Sequence, residues 1–135
     1  MATNTEIIKD AYASFAAGDV PGALSAFADD ILWVEPDGYP IGGGTYVGPQ
    51  AVVEGVFMRL AEIGDEFAVV PEQFVAEGDT VVALGHLAWK HKDTGAPALV
   101  KTAHVWTFEG GKATSFLQHI DTVKMRELSW STRPS

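Results

Sequence analysis

The hydrophobic pattern changes its period at Gly64, and this change limits the fold more than any other feature of the sequence. Before Gly64, apolar residues recur at helical spacing over residues 6–17 and 49–60. After it, four apolar runs are typical of strands, over residues 67–75, 80–89, 99–108 and 113–121. Short Gly- and Asp-rich turns separate these runs, so we expect an antiparallel meander. Helices followed by strands indicate an α+β fold.

The chain before Gly64 is predicted to hold two helices and one strand ahead of the helix at 49–60. The second of these two helices begins at Asp19, a residue type that caps helices, and ends at Asp29-Asp30. This places Phe27 in the helix, facing the core. A short strand, Ile31–Glu35, follows, and a glycine-rich loop is predicted over 38–48.

Three further features complete the predicted organisation. Pro71 interrupts the first long strand and indicates an edge or a bulge. A short helix is predicted over 122–128, and the tail from about residue 130 has no pattern and is expected to be disordered. No linker or repeat divides the chain, so residues 1–135 are expected to form a single domain.

Composition excludes several function classes. A chain of 135 residues that is 47% hydrophobic can bury a core. A net charge of −9 repels phosphate backbones and anionic headgroups, so binding to nucleic acid or a membrane is not expected. The sequence has no cysteine, which excludes thiol chemistry. No leader or membrane-spanning pattern is present, and the predicted location is cytoplasmic.

The run 99–108 is apolar on both faces of the predicted sheet, which implies a cover on each side. One face carries Val100, Trp106 and Phe108, whereas the other carries Leu99, Ala103 and Val105. We expect either a strongly curled sheet that encloses a ligand or a partner subunit behind the sheet. Of these, we favour a homodimer formed through the sheet.

Glu35 is the first candidate for chemistry. Strand alternation places it on one face with Ile31 and Trp33. A carboxylate beside an indole in an apolar cavity has a raised pKa, in the range that suits a general base. The alternative is a solvated glutamate at the end of a strand.

Histidines on the strands are the other candidates. His104 lies mid-strand and can donate to an oxyanion or shuttle a proton. His119 and Asp121 share a face at the end of the last strand, where a carboxylate can orient an imidazole, although Asp121 also fits a helix N-cap. His86 can join them or fill space. The spacing of these residues does not match a metal site, and no cofactor fingerprint or nucleophile elbow is present, so neither metal nor cofactor is predicted. Tyr12 and Tyr39 are candidate phenol donors, although the spacing of Tyr12 also fits a core position.

The chain resembles the SnoaL-like polyketide cyclases and ketosteroid-isomerase-like proteins of the nuclear transport factor 2-like superfamily. The segments that carry the resemblance are YASFAAGD at 12–19, FADDI at 27–31, VEP at 34–36, GTYVG at 44–48 and WTF at 106–108 followed by Gly111-Lys112. The resemblance implies a cone in which a curved antiparallel sheet wraps around N-terminal helices and leaves an apolar pocket. It also implies dimers through the outer face of the sheet.

The resemblance assigns roles residue by residue. Glu35-Pro36 matches the catalytic Asp-Pro of the isomerases, so Glu35 would be the base, and His104 matches their oxyanion donor. The isomerases also have an oxyanion-hole tyrosine on their first helix. That tyrosine aligns with Ala11, one position before Tyr12. Asp121 matches an acid/base aspartate of the cyclases, which requires His119 and Asp121 to face inward. Alignment through Gly111-Lys112 instead turns Phe116, Gln118 and Ile120 inward, and a bulge would reconcile the two.

The implied function is cofactor-free acid/base chemistry on an enolisable carbonyl compound: isomerisation, cyclisation or dehydration. Glu35 or Asp121 would be the base, and His104 the donor, with His119 in support. The ligand would be a small apolar or polycyclic molecule held by Tyr12, Trp33, Phe57, His86 and Trp106. The alternative is a non-catalytic domain that binds a small ligand in the same cavity.

Overall fold

The computed structural model describes residues 2–40 and 43–129. The predicted tail from residue 130 lies outside the described residues. The elements in chain order are α1 (Asn4–Ala16), α2 (Val20–Leu24), β1 (Phe27–Glu35), β2 (Gly44–Val47), α3 (Pro49–Gly55), a 3₁₀ helix (Phe57–Glu62), β3 (Asp65–Glu77), β4 (Thr80–Lys90), β5 (Pro97–Glu109), β6 (Lys112–Ile120) and α4 (Thr122–Ser129).

The strands form one open, curved six-stranded sheet in the order β2-β1-β6-β5-β4-β3. The predicted meander is confirmed, because β3 to β6 pair antiparallel with their neighbours in sequence. β1 joins β6 in parallel and β2 in antiparallel orientation. Pro71 lies on the edge strand β3 at a register shift, as its sequence predicts. The α+β class is therefore confirmed.

Two boundaries differ from the sequence prediction. α2 ends at Leu24, and Phe27 begins β1 instead of closing the helix. Backbone pairing with β6 decides this, because Phe27 pairs with Ala113, whose N–H donates to the Ala26 carbonyl at 2.8 Å. The predicted loop also contains β2, whose four residues pair with the end of β1. At both boundaries, pairing with another strand overrides the structure that the local sequence pattern indicates.

The predicted helix at 49–60 divides into α3 and the 3₁₀ helix. Val56, between them, has φ −122° and ψ −65°, which is outside the helical region. After this break the Phe57 ring packs against Phe15 and Trp33, with ring centroids 4.9 Å and 5.6 Å apart. The break thus brings an aromatic side chain from the 3₁₀ helix over the sheet.

The core lies on the concave face of the sheet in two apolar clusters. The first joins α1, α3 and strands β1, β5 and β6, and it includes Ile8, Ile31, Val52 and Trp106. The second joins strands β4 and β5 to α4 and the 3₁₀ helix, and it includes Leu87, Val100 and Met125. Among the described helices, none combines the length and the apolar character needed to cross a membrane.

Candidate active site

A cavity of about 70 Å³ lies between the helices and the concave face of the sheet. Its wall is mostly aromatic and aliphatic and takes side chains from both core clusters. Besides the indoles, five described residues of the wall can hydrogen-bond through their side chains: Tyr12, Glu35, Tyr39, His104 and Gln118. The cavity is therefore an apolar space with a few convergent polar groups, as is typical of sites for small molecules.

Glu35 reaches the cavity because β1 alternates regularly at its end. Ile31, Trp33 and Glu35 are all buried, and Glu35 is only 3% exposed. Its carboxyl group accepts hydrogen bonds from Trp33 Nε1 at 2.9 Å and from Gln118 Nε2. Burial raises the pKa of Glu35 to about 7, although the two hydrogen bonds oppose the rise. The carboxyl group can therefore both accept and release a proton near neutral pH.

Gln118 links Glu35 to His104. Its side-chain oxygen accepts from His104 Nε2 at 2.9 Å and lies 3.1 Å from the Thr102 hydroxyl, while its Nε2 donates to Glu35. Gln118 and His104 are both buried. The amide thus bridges the two groups to which the sequence assigned acid/base roles.

Hydrogen bonding continues from His104 to α1. His104 Nδ1 lies 2.6 Å from the Tyr12 hydroxyl, and Trp106 Nε1 donates to the same hydroxyl at 3.0 Å. Gln118 donates to Glu35 through its Nε2, so its oxygen accepts from His104 Nε2, and Nδ1 of the neutral ring is left to accept the Tyr12 proton. His104 then carries its own proton on Nε2, toward Gln118.

His104 is neutral at physiological pH. Burial lowers the pKa of its ring to about 4, against the opposing effect of the hydrogen bond to Gln118. Because both ring nitrogens are already hydrogen-bonded within the protein, His104 positions Tyr12 and Gln118 in this arrangement and has no free N–H for a substrate. The predicted direct donation from His104 to an oxyanion does not fit this geometry.

The two phenols face the site from different elements. Tyr12 extends from α1, one residue after Ala11, and both side chains line the cavity. Tyr39 lies in the turn after β1, where burial and the nearby charge of Glu35 raise the pKa of its phenol. Burial likewise raises the pKa of Tyr12. Both phenols therefore stay protonated at neutral pH and can act as hydrogen-bond donors or acceptors.

The structure gathers some of the predicted residues and disperses the others. The cavity wall contains Glu35, His104, Tyr12, Trp33, Phe57 and Trp106. His119 and Asp121 are exposed, because the alternation of β6 turns Phe116 and Gln118 inward. The register shift of this hairpin lies earlier, next to Thr107, and does not reverse the facing of residues 119 and 121. Their predicted place in the cavity is wrong.

Asp121 and His86 have other contacts. Asp121 Oδ1 accepts from the Lys124 backbone N–H at 3.0 Å and caps α4, which was the alternative that its sequence allowed. His86 lies on the outer face of β4, where its Nδ1 is 3.1 Å from Glu72. Its predicted contact with a ligand in the cavity is therefore also wrong. Among residues 2–40 and 43–129, no group of three His, Asp or Glu side chains is close enough to hold a metal ion.

Sequence reasoning missed Gln118 as a site residue, and it named Tyr39 as a candidate phenol donor without placing it in the site. Gln118 faces inward by the alignment through Gly111-Lys112, but an amide carries no acid/base signal by itself. Tyr39 lies in a loop, where no periodicity indicates which way a side chain points. In both cases the missing information was the register or the path of the backbone.

Comparison with known proteins identifies the family. The family model of the SnoaL-like domain matches residues 8–116. The chain belongs to the SnoaL-like family. None of the curated proteins is similar enough to this SnoaL-like chain to count as a match.

Solved structures of relatives cover nearly the whole SnoaL-like chain. An NTF2-like protein of unknown function from Burkholderia pseudomallei is 34% identical, with a TM-score of 0.82 and coverage of 95% of this chain and 98% of that chain. An NTF2-like protein from Burkholderia thailandensis is 30% identical, with a TM-score of 0.88 and coverage of 99% and 100%. TerC, co-crystallised with polyporic acid, is 32% identical, with a TM-score of 0.85 and coverage of 94% and 98%. The predicted nuclear transport factor 2-like fold is confirmed.

Proposed function

We propose that this protein is an enzyme that uses Glu35 as a base to remove a proton α to a carbonyl group. The observation that carries the proposal is the burial of Glu35 in an aromatic cavity, with a pKa raised to about 7. A base with a pKa near the working pH combines a useful ionised fraction with a useful affinity for the proton. Isomerisation, cyclisation and dehydration all begin with this step.

The proton balance of the step is simple. The substrate C–H bond breaks, the proton joins a Glu35 oxygen, and the electron pair moves into an enolate. The enolate oxygen needs a hydrogen-bond donor in the apolar cavity. Tyr12 and Tyr39 supply the phenol groups of the wall, and Trp33 and Phe116, stacked with centroids 3.7 Å apart, add a flat aromatic surface.

The size of the cavity favours a compact substrate. Its volume of about 70 Å³ is small beside the roughly 300–1,000 Å³ of sites for drug-sized ligands. We therefore propose a small enolisable ketone rather than the polycyclic ligand that the sequence also allowed. A polycyclic ligand would have to displace the side chains of the 3₁₀ helix, Phe57 and Leu60, from the wall.

Deuterium exchange tests the chemistry without knowledge of the product. The wild-type protein is incubated in D₂O with a panel of small cyclic and aryl ketones, and NMR measures deuterium uptake at the α-carbon. We expect exchange above the buffer rate for at least one ketone. Ketones that bind but exchange only at the buffer rate would favour the alternative, a non-catalytic binding domain. Polyporic acid belongs in the same binding panel, because TerC was co-crystallised with it.

We also propose that two copies of the chain associate through the outer face of the sheet, opposite the cavity. Four leucines on neighbouring strands of this face, Leu32, Leu84, Leu99 and Leu117, are 36–43% exposed. Val105 lies between Val82 and Leu117 in the register and continues the apolar band. A two-fold axis would place this band against itself, which removes apolar surface from water on both copies.

Substitution of Leu117 tests the dimer. Light scattering coupled to size exclusion should give twice the chain mass for the wild type and a single chain mass for Leu117→Lys, because a lysine would lie in the apolar contact. Met58→Lys is the matched control, since Met58 is 71% exposed on the 3₁₀ helix. A monomeric wild type at high micromolar concentration would contradict the proposal.

A further inference from the structure

A buried carboxyl group needs different neighbours in its two protonation states, and Gln118 can serve Glu35 in both. The ionised group accepts hydrogen bonds from Trp33 and Gln118, as observed. The protonated group must donate one, and the Trp33 indole has no acceptor. If the Gln118 amide rotates by half a turn, its oxygen faces Glu35 and accepts. Without an acceptor, the buried O–H would be left unsatisfied, which destabilises the protonated state.

Rotation of the amide has a consequence at His104. In the observed arrangement the Gln118 oxygen accepts from His104 Nε2. After rotation the amide NH₂ faces Nε2, so the neutral ring must carry its proton on Nδ1 instead. The Thr102 hydroxyl fits both arrangements, because it lies 3.1 Å from Gln118 Oε1 and 2.9 Å from the His119 carbonyl oxygen. It can donate to His119 while accepting from the rotated amide.

The change at His104 reaches Tyr12. A proton on Nδ1 turns His104 from an acceptor into a donor toward the Tyr12 oxygen, 2.6 Å away. Trp106 already donates to that oxygen. A phenol oxygen has two lone pairs, so it can accept from both and direct its own proton elsewhere. Tyr12 lines the cavity, so its O–H becomes available to a ligand there.

We propose that Gln118 is a positioning residue that couples the protonation of Glu35 to the tautomer of His104, and thereby sets whether Tyr12 offers the cavity a lone pair or a proton. The protein gains one proton overall, on Glu35. His104 and Tyr12 keep one proton each, and the ring proton moves from Nε2 to Nδ1 by exchange with solvent. Only the use of the coupling in catalysis rests on the proposed function. In that function, a substrate oxygen meets the Tyr12 donor once Glu35 holds the proton.

The surroundings of Glu35 contain one competitor for its proton. Tyr12 from α1, His104 from β5 and Tyr39 from the turn after β1 are the titratable side chains of the cavity wall besides Glu35. The wall residues from α2, the 3₁₀ helix, β3 and β4 are apolar, and they are Ala23, Phe57, Leu60, Phe67, Val69 and Leu87. Tyr39 lies near enough to Glu35 for the carboxylate charge to raise the pKa of its phenol, so its oxygen can also accept from a protonated Glu35, and in that case His104 would keep its tautomer.

NMR of the free protein tests the coupling. Protein labelled with ¹⁵N-histidine is titrated from pH 5 to 9, and long-range ¹H–¹⁵N spectra identify which His104 nitrogen carries the proton. Carboxyl ¹³C shifts follow Glu35, whose pKa is raised to about 7 by burial. We expect His104 to carry its proton on Nε2 at pH 9 and on Nδ1 at pH 5. The midpoint of this change should equal the midpoint of the Glu35 titration. Simple ionisation of the ring is excluded over most of this range, because burial lowers the pKa of His104 to about 4.

Two variants separate the coupling from its components. In Gln118→Met, Glu35 should still titrate, whereas the tautomer of His104 should no longer follow it. In Glu35→Gln, the tautomer should be independent of pH. A wild-type His104 that keeps one tautomer through the Glu35 titration would overturn the proposal, and this titration needs no variant. A response that persists in Gln118→Met would overturn the role of Gln118. Neither result depends on α-proton exchange, so the proposed function stands or fails separately.

Discussion

Glu35→Gln is expected to slow α-proton exchange by about 10²–10⁴-fold, the usual contribution of a positioned general base. Glutamine keeps the size of the side chain and can still accept from Trp33 or Gln118, but it cannot take a proton from carbon. The loss should appear in kcat with little change in KM, because the carboxylate acts on the proton in transit rather than on ground-state binding. Exchange rates of wild type and variant on the same ketone measure the effect.

Asp121→Asn is the matched control for this prediction. Asp121 was the rival base in the sequence, but it is exposed and caps α4. Asparagine is also a good N-cap, so the variant should keep both its fold and its exchange activity. A Glu35→Gln protein with wild-type activity, or an Asp121→Asn protein without activity, would contradict the assignment of Glu35.

The stability of Glu35→Gln relative to the wild type should increase with pH by about 3 kcal/mol between pH 4 and pH 8. In the folded wild type, burial raises the pKa of Glu35 from 4.5 to about 7. Its contribution to stability is present below pH 4.5 and is lost as the pH rises through 7, because the unfolded chain ionises first. Glutamine does not ionise and does not incur this loss. Changes in hydrogen bonding to Trp33 add an offset that is independent of pH.

In both proteins, the ionisation of His104 changes the free energy of unfolding with pH in the opposite direction. Burial lowers the pKa of its ring from 6.5 to about 4, so the unfolded chain takes up a proton first and stability falls as the pH falls from 6.5 to 4. In the wild type these two contributions offset each other, whereas Glu35→Gln retains only that of His104. Urea unfolding at pH 4, 6 and 8 measures the difference, with Glu77→Gln at the exposed end of β3 as control. A constant difference between Glu35→Gln and the wild type would show that Glu35 does not titrate near 7.

Prediction from sequence succeeded where a residue's surroundings follow from its own strand. The alternation of Ile31, Trp33 and Glu35 placed a carboxylate beside an indole, and the structure shows the Trp33 Nε1 hydrogen bond to Glu35. It failed at His119 and Asp121, since a slip of one residue reverses every side chain of a strand. The hairpin register between β5 and β6 sets that facing, and periodicity within β6 does not contain it.

Local periodicity and composition were enough to predict the α+β class, the meander and the exclusion of thiol chemistry, and they placed Glu35 on one face of its strand with Ile31 and Trp33. The contacts in three dimensions were needed to show that Gln118 bridges Glu35 and His104, and that the Tyr12 proton goes to His104. Two of these contacts join residues 83 and 92 positions apart in the chain, and the third, between His104 and Gln118, joins residues 14 positions apart on neighbouring strands. Hydrogen-bond direction depends on which donors and acceptors meet in space, and chain order does not specify that.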